Sequence, residues 1–161
     1  MLADHVGAIH KIATWIYDEW LGVDSVVPFD KVVANTTLSA SRYHPPLMVV
    51  AKTSEAGRED EIIGCAELKV RENRAYPEYE FWLGGVYVQA DFRGKGVASM
   101  MCRDAMQRAR QVGVACLYLQ TKDLSGGLYT ELGFTPVEIT HYKGCDILIM
   151  QCELADSPQS P

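Results

Sequence analysis

The segment that decides the fold of this chain reads VYVQADFRGKGVA and covers residues 86–98. Alternating Val and Tyr at its start predict a strand, and two glycines follow in a turn. From Val97 onward, apolar residues recur at helical spacing through Met101, Ala105 and Ala109. The segment is therefore a strand that enters a glycine-bearing turn, and the turn opens a helix.

Such a turn is suited to binding an anion. The first N–H groups of a helix lack partners inside the helix, and the helix dipole makes that end positive. Gly94 and Gly96 let phosphate oxygens approach without a Cβ atom in the way, and Arg93 and Lys95 add positive charge. A glycine turn with two solvated basic residues explains the spacing equally well, because short glycine motifs often arise by chance.

The chain before this segment predicts an antiparallel group of strands. Apolar runs over residues 47–52, 61–70 and 80–89 are separated by a polar turn at 54–60 and a charged loop at 71–79. Two adjacent glycines, Gly84 and Gly85, interrupt the third run. They predict a bulge or a close approach of another backbone.

Helices and further strands surround this centre. Ahead of the strands, we predict a helix over residues 3–21, capped by Asp4, and a second that Asp30 begins. The central helix ends at Gly113, and the predicted elements after it are a strand at 114–120, a short helix at 124–132, and strands at 135–142 and 147–153. A strand, a helix and a strand in succession imply locally parallel strands. The fold class is therefore α/β (α+β), with one domain over residues 1–154 and a polar tail over 155–161.

Composition restricts the function. The chain has 161 residues, of which 48% are hydrophobic and 22% charged, so it is long enough for a packed core. Its net charge of -6 gives no general attraction to nucleic acid or anionic membranes, and it favours a cationic second substrate. The first residues lack the pattern of a signal peptide, and no apolar run is long enough to span a bilayer.

The cysteines predict a reducing compartment. There are five, an odd number, and their spacing matches no zinc framework. We therefore expect free thiols, no metal site and a cytoplasmic protein.

Two motifs together indicate one protein superfamily. Arg93 to Ala98 matches the Arg/Gln-x-x-Gly-x-Gly/Ala motif of the GNAT superfamily of N-acetyltransferases. Residues 128–134, LYTELGF, resemble the second signature of that superfamily, Tyr-x-x-x-Gly-Phe at the end of a helix. The order of predicted elements also agrees along nearly the whole chain. The resemblance implies a mixed, mainly antiparallel sheet with helices on both faces and two central parallel strands that splay apart.

The resemblance implies that acetyl-CoA is the co-substrate. Val86 and Val88 would offer backbone groups to its pantetheine arm, which pairs like an added strand. Its diphosphate would be held by the turn and helix start, comprising Arg93, Gly94, Lys95, Gly96, Val97 and Ala98. The acetyl group would lie near the Gly84–Gly85 irregularity, where a primary amine attacks it directly.

The resemblance also assigns an acid. Tyr129 matches the tyrosine that protonates the departing sulfur, although a tyrosine that only packs beside Leu128 and Phe134 fits the same pattern. Relatives often carry a base at positions near Trp82 and Gly84, and neither residue can act as one. Glu80 shares their strand parity and is the predicted base, acting through water, although a solvated charge fits it as well. His141 is a weaker candidate.

Two further points concern the substrates. Many relatives have an asparagine seven residues before the motif tyrosine, and this chain has Lys122, which weakens the side-chain contribution to cofactor binding. The acceptor pocket in the superfamily is walled by the first two helices and their connection. Those walls correspond here to Trp20, Pro28 and Phe29, with residues 76–82 opposite.

Three functions are compatible with the sequence. The first is an enzyme that acetylates a small-molecule or peptide amine, in which a longer acyl group and a homodimer both stay open. The second is a non-catalytic module that binds or senses acyl-CoA. The third is a domain whose glycine turn binds nothing.

Overall fold

The structure of the protein, a computed structural model, describes residues 1–22 and 26–154. The tail predicted over residues 155–161 lies outside the described residues. The helices are α1 (Ile9–Trp20), α2 (Phe29–Leu38), α3 (Val97–Gln111) and α4 (Gly127–Glu131). The strands are β1 (Leu47–Lys52), β2 (Ile62–Val70), β3 (Phe81–Val88), β4 (Cys116–Thr121), β5 (Thr135–Tyr142) and β6 (Cys145–Glu153).

These strands form one six-stranded sheet in the order β1-β2-β3-β4-β6-β5. All neighbours are antiparallel except β3 and β4, which are parallel. The parallel pair brackets α3, as a strand-helix-strand crossover requires. The predicted fold class, a mixed and mainly antiparallel sheet, is confirmed.

Helices cover both faces of the sheet because side chains alternate along its strands. In β1, Leu47 and Val49 pack in the core that includes α3, whereas Met48 packs against Ile12 of α1 on the opposite face. The buried face of α3 carries Met101, Cys102, Ala105, Met106 and Ala109. Full burial of a Leu, Ile or Met side chain contributes roughly 1.5–3 kcal/mol, so both layers stabilise the fold.

The prediction of a helix from residue 3 was wrong. Residues Leu2–Asp4 and Val6–Ala8 form two 3₁₀ turns, and α1 begins only at Ile9. Asp4 does not cap α1, because its carboxylate pairs with the N-terminal ammonium at 3.5 Å and with Arg42. Leu2 is fully buried in the core on the α1 face, so tertiary packing sets the path of these residues.

Other boundaries moved less. The predicted strands at 47–52 and 135–142 match β1 and β5. Asp30 lies in the first turn of α2 rather than at its N-cap, which is Pro28. The helix predicted over 124–132 shortens to α4, because Ser125 is held in a turn by Asp123 and Gly126 has a φ of +79°. Within residues 1–22 and 26–154, no helix has both the length and the apolar character needed to cross a membrane.

Candidate active site

The turn between β3 and α3 is open and left-handed at two positions. A short 3₁₀ turn, Ala90–Phe92, follows β3. Gly94 and Gly96 then have φ values of +72° and +78°, which side chains with a Cβ adopt only with strain. A Cβ atom added at either glycine would meet no atom within 4 Å. The turn therefore presents bare backbone to the outside.

The amide groups of this turn are unpaired. Arg93 N–H still bonds within the 3₁₀ turn, to the carbonyl of Ala90, and the first helical bond runs from Met100 N–H to the carbonyl of Gly96. Between them, the N–H groups of residues 94–99 donate to no acceptor in the described part of the chain. Successive free N–H groups at the positive end of a helix are an anion-binding arrangement.

The two basic residues of the turn have different surroundings. Arg93 Nε donates to the carbonyl of Val88 at 2.9 Å, and its guanidinium lies 5.6 Å from the centre of the Tyr87 ring. Lys95 is exposed, and its Nζ lies 3.7 Å from Oε1 of Glu55 on the β1–β2 turn. Arg93 thus braces the turn against the end of β3, while Lys95 forms a surface ion pair and lies 5.1 Å from the centre of the Phe92 ring.

The two parallel strands separate beside this turn. A single ladder pair, Trp82 opposite Tyr118, joins β3 to β4 in the described residues. Gln89 N–H donates to the carbonyl of Ile63, so odd-numbered residues at this end of β3 face β2. Val86 and Val88 therefore direct their backbone groups towards β4, although Arg93 takes the Val88 carbonyl. The structure therefore has a gap between β3 and β4, and backbone groups of β3 face that gap.

Gly84 and Gly85 form the expected bulge. Tyr87 pairs with Cys65 and Gly84 pairs with Glu67, so β3 uses one more residue than β2 between these pairs. Gly85 has a φ of +56°, and its carbonyl accepts a hydrogen bond from Cys65 Sγ at 3.4 Å. The predicted irregularity is confirmed, and its extra residue redirects β3 next to the gap.

Tyr129 lies on α4 at the edge of the main core. Its ring packs edge-to-face on Phe134, with centroids 6.2 Å apart. Burial raises the pKa of its phenol to about 12, helped by the nearby charges of Cys102 and Glu72. Within residues 1–22 and 26–154, its hydroxyl has no hydrogen-bond partner. Tyr129 is therefore a protonated phenol at neutral pH with its donor free.

The predicted base is at the surface. Glu80 is exposed, one residue ahead of β3, and its carbonyl accepts from Arg71 N–H at 2.7 Å. Its carboxylate has no ion pair in the described part of the protein. His141 is also exposed and pairs with Asp146 on the β5–β6 hairpin at 2.9 Å. The role of Glu80 stays a prediction.

The aromatic residues expected to wall the acceptor pocket make ring contacts in two groups, one on the first two helices and one around Tyr79. Phe29 packs edge-to-face on Tyr17, and Trp20 is 44% exposed at the end of α1. On the other side, Tyr79 stacks on Tyr118 with ring centroids 3.8 Å apart. These aromatic side chains pack mainly with neighbours of their own group. Lys122 is exposed and has no ion pair among the described residues.

A charged cluster beside the bulge was missed by sequence reasoning. Glu67 and Lys69 lie on β2 and Glu72 follows it, and the side chains of all three are mostly buried. Glu67 Oε1 accepts a hydrogen bond from Ser39 at the end of α2. Lys69 Nζ bonds Oε1 of Glu72 at 2.8 Å. The available signal was the charge at alternate positions of an otherwise apolar strand, IIGCAELKV.

In the part of the chain that the structure describes, no group of three His, Cys, Asp or Glu residues could hold a metal ion.

Solved structures with the same fold were found at low sequence identity. The Salmonella typhimurium protein yncA, solved with its cofactor acetyl-CoA, has 18% identity and a TM-score of 0.70, covering 99% of this chain and 94% of that one. An aminoglycoside 6'-N-acetyltransferase complexed with coenzyme A has 12% identity and a TM-score of 0.69, with coverages of 94% and 93%. The NatC complex bound to Gag peptide and CoA has 16% identity, a TM-score of 0.68, and coverages of 91% and 91%.

A comparison with curated protein sequences gave no significant match. The sequence profile of the acetyltransferase (GNAT) family, in contrast, matches residues 9–134, which include the glycine turn, the bulge and Tyr129. The resemblance to this family implied the splayed parallel strands, and the strand-turn-helix segment predicted the unpaired amides. The chain belongs to the acetyltransferase (GNAT) family.

Proposed function

We propose that the protein transfers an acetyl group from acetyl-CoA to a primary amine. The observation that carries this proposal is the run of unpaired amides at residues 94–99, placed beside a strand edge that faces a gap. Family membership supports the same reaction class. A reducing, cytoplasmic location belongs to the proposal, and the five free cysteines agree with it.

The turn fits a diphosphate. Gly94 and Gly96 leave the space over the amides clear of side chains. Arg93 and Lys95 supply positive charge in a chain whose net charge is -6. The backbone of Val86 and the N–H of Val88 face the gap, where a pantetheine arm would lie as an added strand. When bound there, acetyl-CoA supplies an activated thioester.

Tyr129 assists departure of the sulfur. A thiol has a pKa near ~8.5, so releasing it as a thiolate at neutral pH costs only about 2 kcal/mol. The Tyr129 phenol, with a pKa of about 12, is the weaker acid. Its contribution is therefore a hydrogen bond to the sulfur as negative charge develops, worth roughly 10²-fold in rate.

The amine needs a base. An alkyl amine has a pKa near ~10.4, so removing its proton at neutral pH costs roughly 4–5 kcal/mol. Glu80, acting through water, is the base that strand parity predicts. The acceptor class follows the family broadly: two of the fold relatives are an aminoglycoside acetyltransferase and a complex bound to a peptide. They support an amine acceptor, small or peptidic.

The test is release of free thiol from acetyl-CoA by the purified protein with an amine panel: spermidine, kanamycin and a short peptide with a free N-terminus. Tyr129→Phe should bind acetyl-CoA with unchanged affinity in calorimetry and release thiol about 10²-fold more slowly. Tyr142→Phe, on the β5–β6 hairpin, is the matched control and should be unchanged.

Two results would contradict the proposal. Tight acetyl-CoA binding without thiol release for any amine would identify a module that senses acyl-CoA. Absence of any binding would mean that the turn holds no ligand. Longer acyl-CoA thioesters in the same assay measure how much acyl chain the bulge admits.

A further inference from the structure

We propose that Glu67, rather than Glu80, is the base that accepts the proton of the attacking amine. The inference rests on the proposed function and names one of its catalytic residues. It starts from the position of Glu67 on β2, directly opposite Gly84 in the ladder. A Cβ atom added at Gly85 would lie 3.5 Å from Oε2 of Glu67, so this oxygen faces the bulge.

The two oxygens of Glu67 have different surroundings. Oε1 is held by the Ser39 hydroxyl at the end of α2. Oε2 forms only a long ion pair, with Lys69 Nζ 3.8 Å away, and no donor lies at ordinary hydrogen-bond distance within residues 1–22 and 26–154. The residue as a whole is 9% exposed, so it is not completely closed off from solvent. Oε1 is thus fixed by a hydrogen bond, and Oε2, held only by the long ion pair, is the oxygen that can accept a proton.

Glu72 keeps that oxygen free. It binds the Lys69 ammonium at 2.8 Å, a full ångström closer than Lys69 lies to Glu67. Oε2 of Glu72 is itself buried without a partner, and a Cβ atom at Gly84 would lie 2.7 Å from it. A side chain at position 84 would therefore displace this carboxylate from its place against β3. The charged cluster thus packs directly against the bulge in β3.

The surroundings also make Glu67 a stronger base than a solvated carboxylate. Burial raises the pKa of its carboxyl group, opposed by the Lys69 charge and the Ser39 hydrogen bond and reinforced by Glu72. The titratable groups that face it are Cys65 and Lys69 from β2 and Glu72 from the following loop. From α2 it meets the Ser39 hydroxyl, and from β3 the glycine backbone. A base is most effective when its pKa lies near the working pH.

Glu67 Oε2 takes a proton from the ammonium group, and the freed nitrogen lone pair forms a C–N bond to the thioester carbonyl carbon. The C–S bond breaks, and the sulfur leaves with the electron pair as a thiolate that the Tyr129 hydroxyl stabilises by a hydrogen bond. The nitrogen loses its second proton to water, and Glu67 also returns its proton to water.

The experiment compares Glu67→Gln with Glu80→Gln, the same change at the exposed site. With the amine that gives the fastest thiol release, Glu67→Gln should lower kcat/KM about 10²-fold at pH 7. It should also abolish the acid limb of the pH profile, because the carboxylate that must lose its proton is gone. Acetyl-CoA affinity should be unchanged, and the control Glu59→Gln, at an exposed position of the β1–β2 turn, should behave as wild type.

Near-normal kcat/KM in Glu67→Gln, or the loss in Glu80→Gln instead, would overturn the assignment. Should Glu67→Gln fail to fold, Glu67→Ala is assayed with added formate, where restored thiol release supports the role and its absence in a folded variant refutes it. Failure of the wild type with every amine is a different result, because it contradicts the proposed acetyl transfer itself.

Discussion

Gly96 is the residue on which the anion site depends most directly. It is the N-cap of α3, its φ is +78°, and its carbonyl accepts the first helical bond, from Met100. Gly113 ends the same helix with a φ of +81°. A Cβ atom would meet nothing within 4 Å at either glycine. The two glycines therefore have the same left-handed conformation and the same open surroundings. Only Gly96 lies at the anion site.

This pair gives a controlled test. Alanine at either position must adopt a left-handed conformation, so Gly96→Ala and Gly113→Ala should each lower the unfolding free energy by about 1 kcal/mol. Only Gly96→Ala places a methyl group beside the free amides. It should weaken acetyl-CoA binding roughly tenfold in calorimetry, whereas equal affinities in the two variants would show that the turn is not the diphosphate site.

At the same scale, the sequence predicted the residues whose role is local. A glycine turn between a strand and a helix is encoded by its own residues, so Arg93 to Ala98 could be recognised without the fold. Glu67 could not, because its importance depends on Ser39 from α2 and Gly85 from β3 meeting it. Those contacts are fixed only by strand register and by the packing of α2.

Among the elements, α1 has a start that the local sequence pattern predicted wrongly, because tertiary contacts determine it. Its start moved to Ile9 because Leu2 is buried. Besides the apolar packing of Ile12 on Met48, α1 has a polar link to the sheet: Lys11 Nζ bonds Oε1 of Glu61 at 2.8 Å and the carbonyl of Ile62 at 2.9 Å. Strands β1 and β5 were predicted correctly because prolines, glycines and polar turns bound them in sequence.

The Lys11–Glu61 link predicts a pH dependence of stability. Hydrogen bonds from Arg58 and then Lys11 lower the pKa of Glu61 to about 2. The folded-state pKa lies below the ordinary value of ~4.3, so the stabilisation is present above that value and is lost as the pH falls towards about 2. Glu61→Gln should therefore unfold at lower denaturant concentration than wild type at pH 7, with the difference vanishing in strong acid.

Glu131→Gln is the control for this measurement, because Glu131 is exposed on α4 and forms no ion pair among the described residues. Chemical denaturation at several pH values measures both variants. A Glu61→Gln difference that is independent of pH would show that packing, and not the charge, links α1 to β2.

Across the whole molecule, the cysteines vary in burial rather than pairing. All five are free, with Cys65, Cys102 and Cys152 buried and Cys116 and Cys145 partly accessible. Burial raises the pKa of Cys65 to about 12 and that of Cys102 to about 12. Since the thiolate is the reactive form, these two thiols should be inert in the folded protein.

Thiol titration checks this expectation. The native protein should react with a disulfide reagent first at Cys145 and Cys116, and all five thiols should react in denaturant. Peptide mass spectrometry identifies the labelled residues. Rapid labelling of Cys65 or Cys102 before unfolding would show that the sheet opens on the α1 or the α3 side.

Arg93 limits the length of the β3 edge that is available to an added strand. Because its Nε takes the Val88 carbonyl, the edge available to an added strand stops there, and it runs back to the bulge at Gly85. At about 3.3 Å per residue, that edge measures roughly 10 Å. A carrier anchored by its phosphates must reach back over this length to present its thioester. Under the proposed function, the length of the carrier arm therefore determines which thioesters reach the reaction site. This selection does not depend on the acyl group.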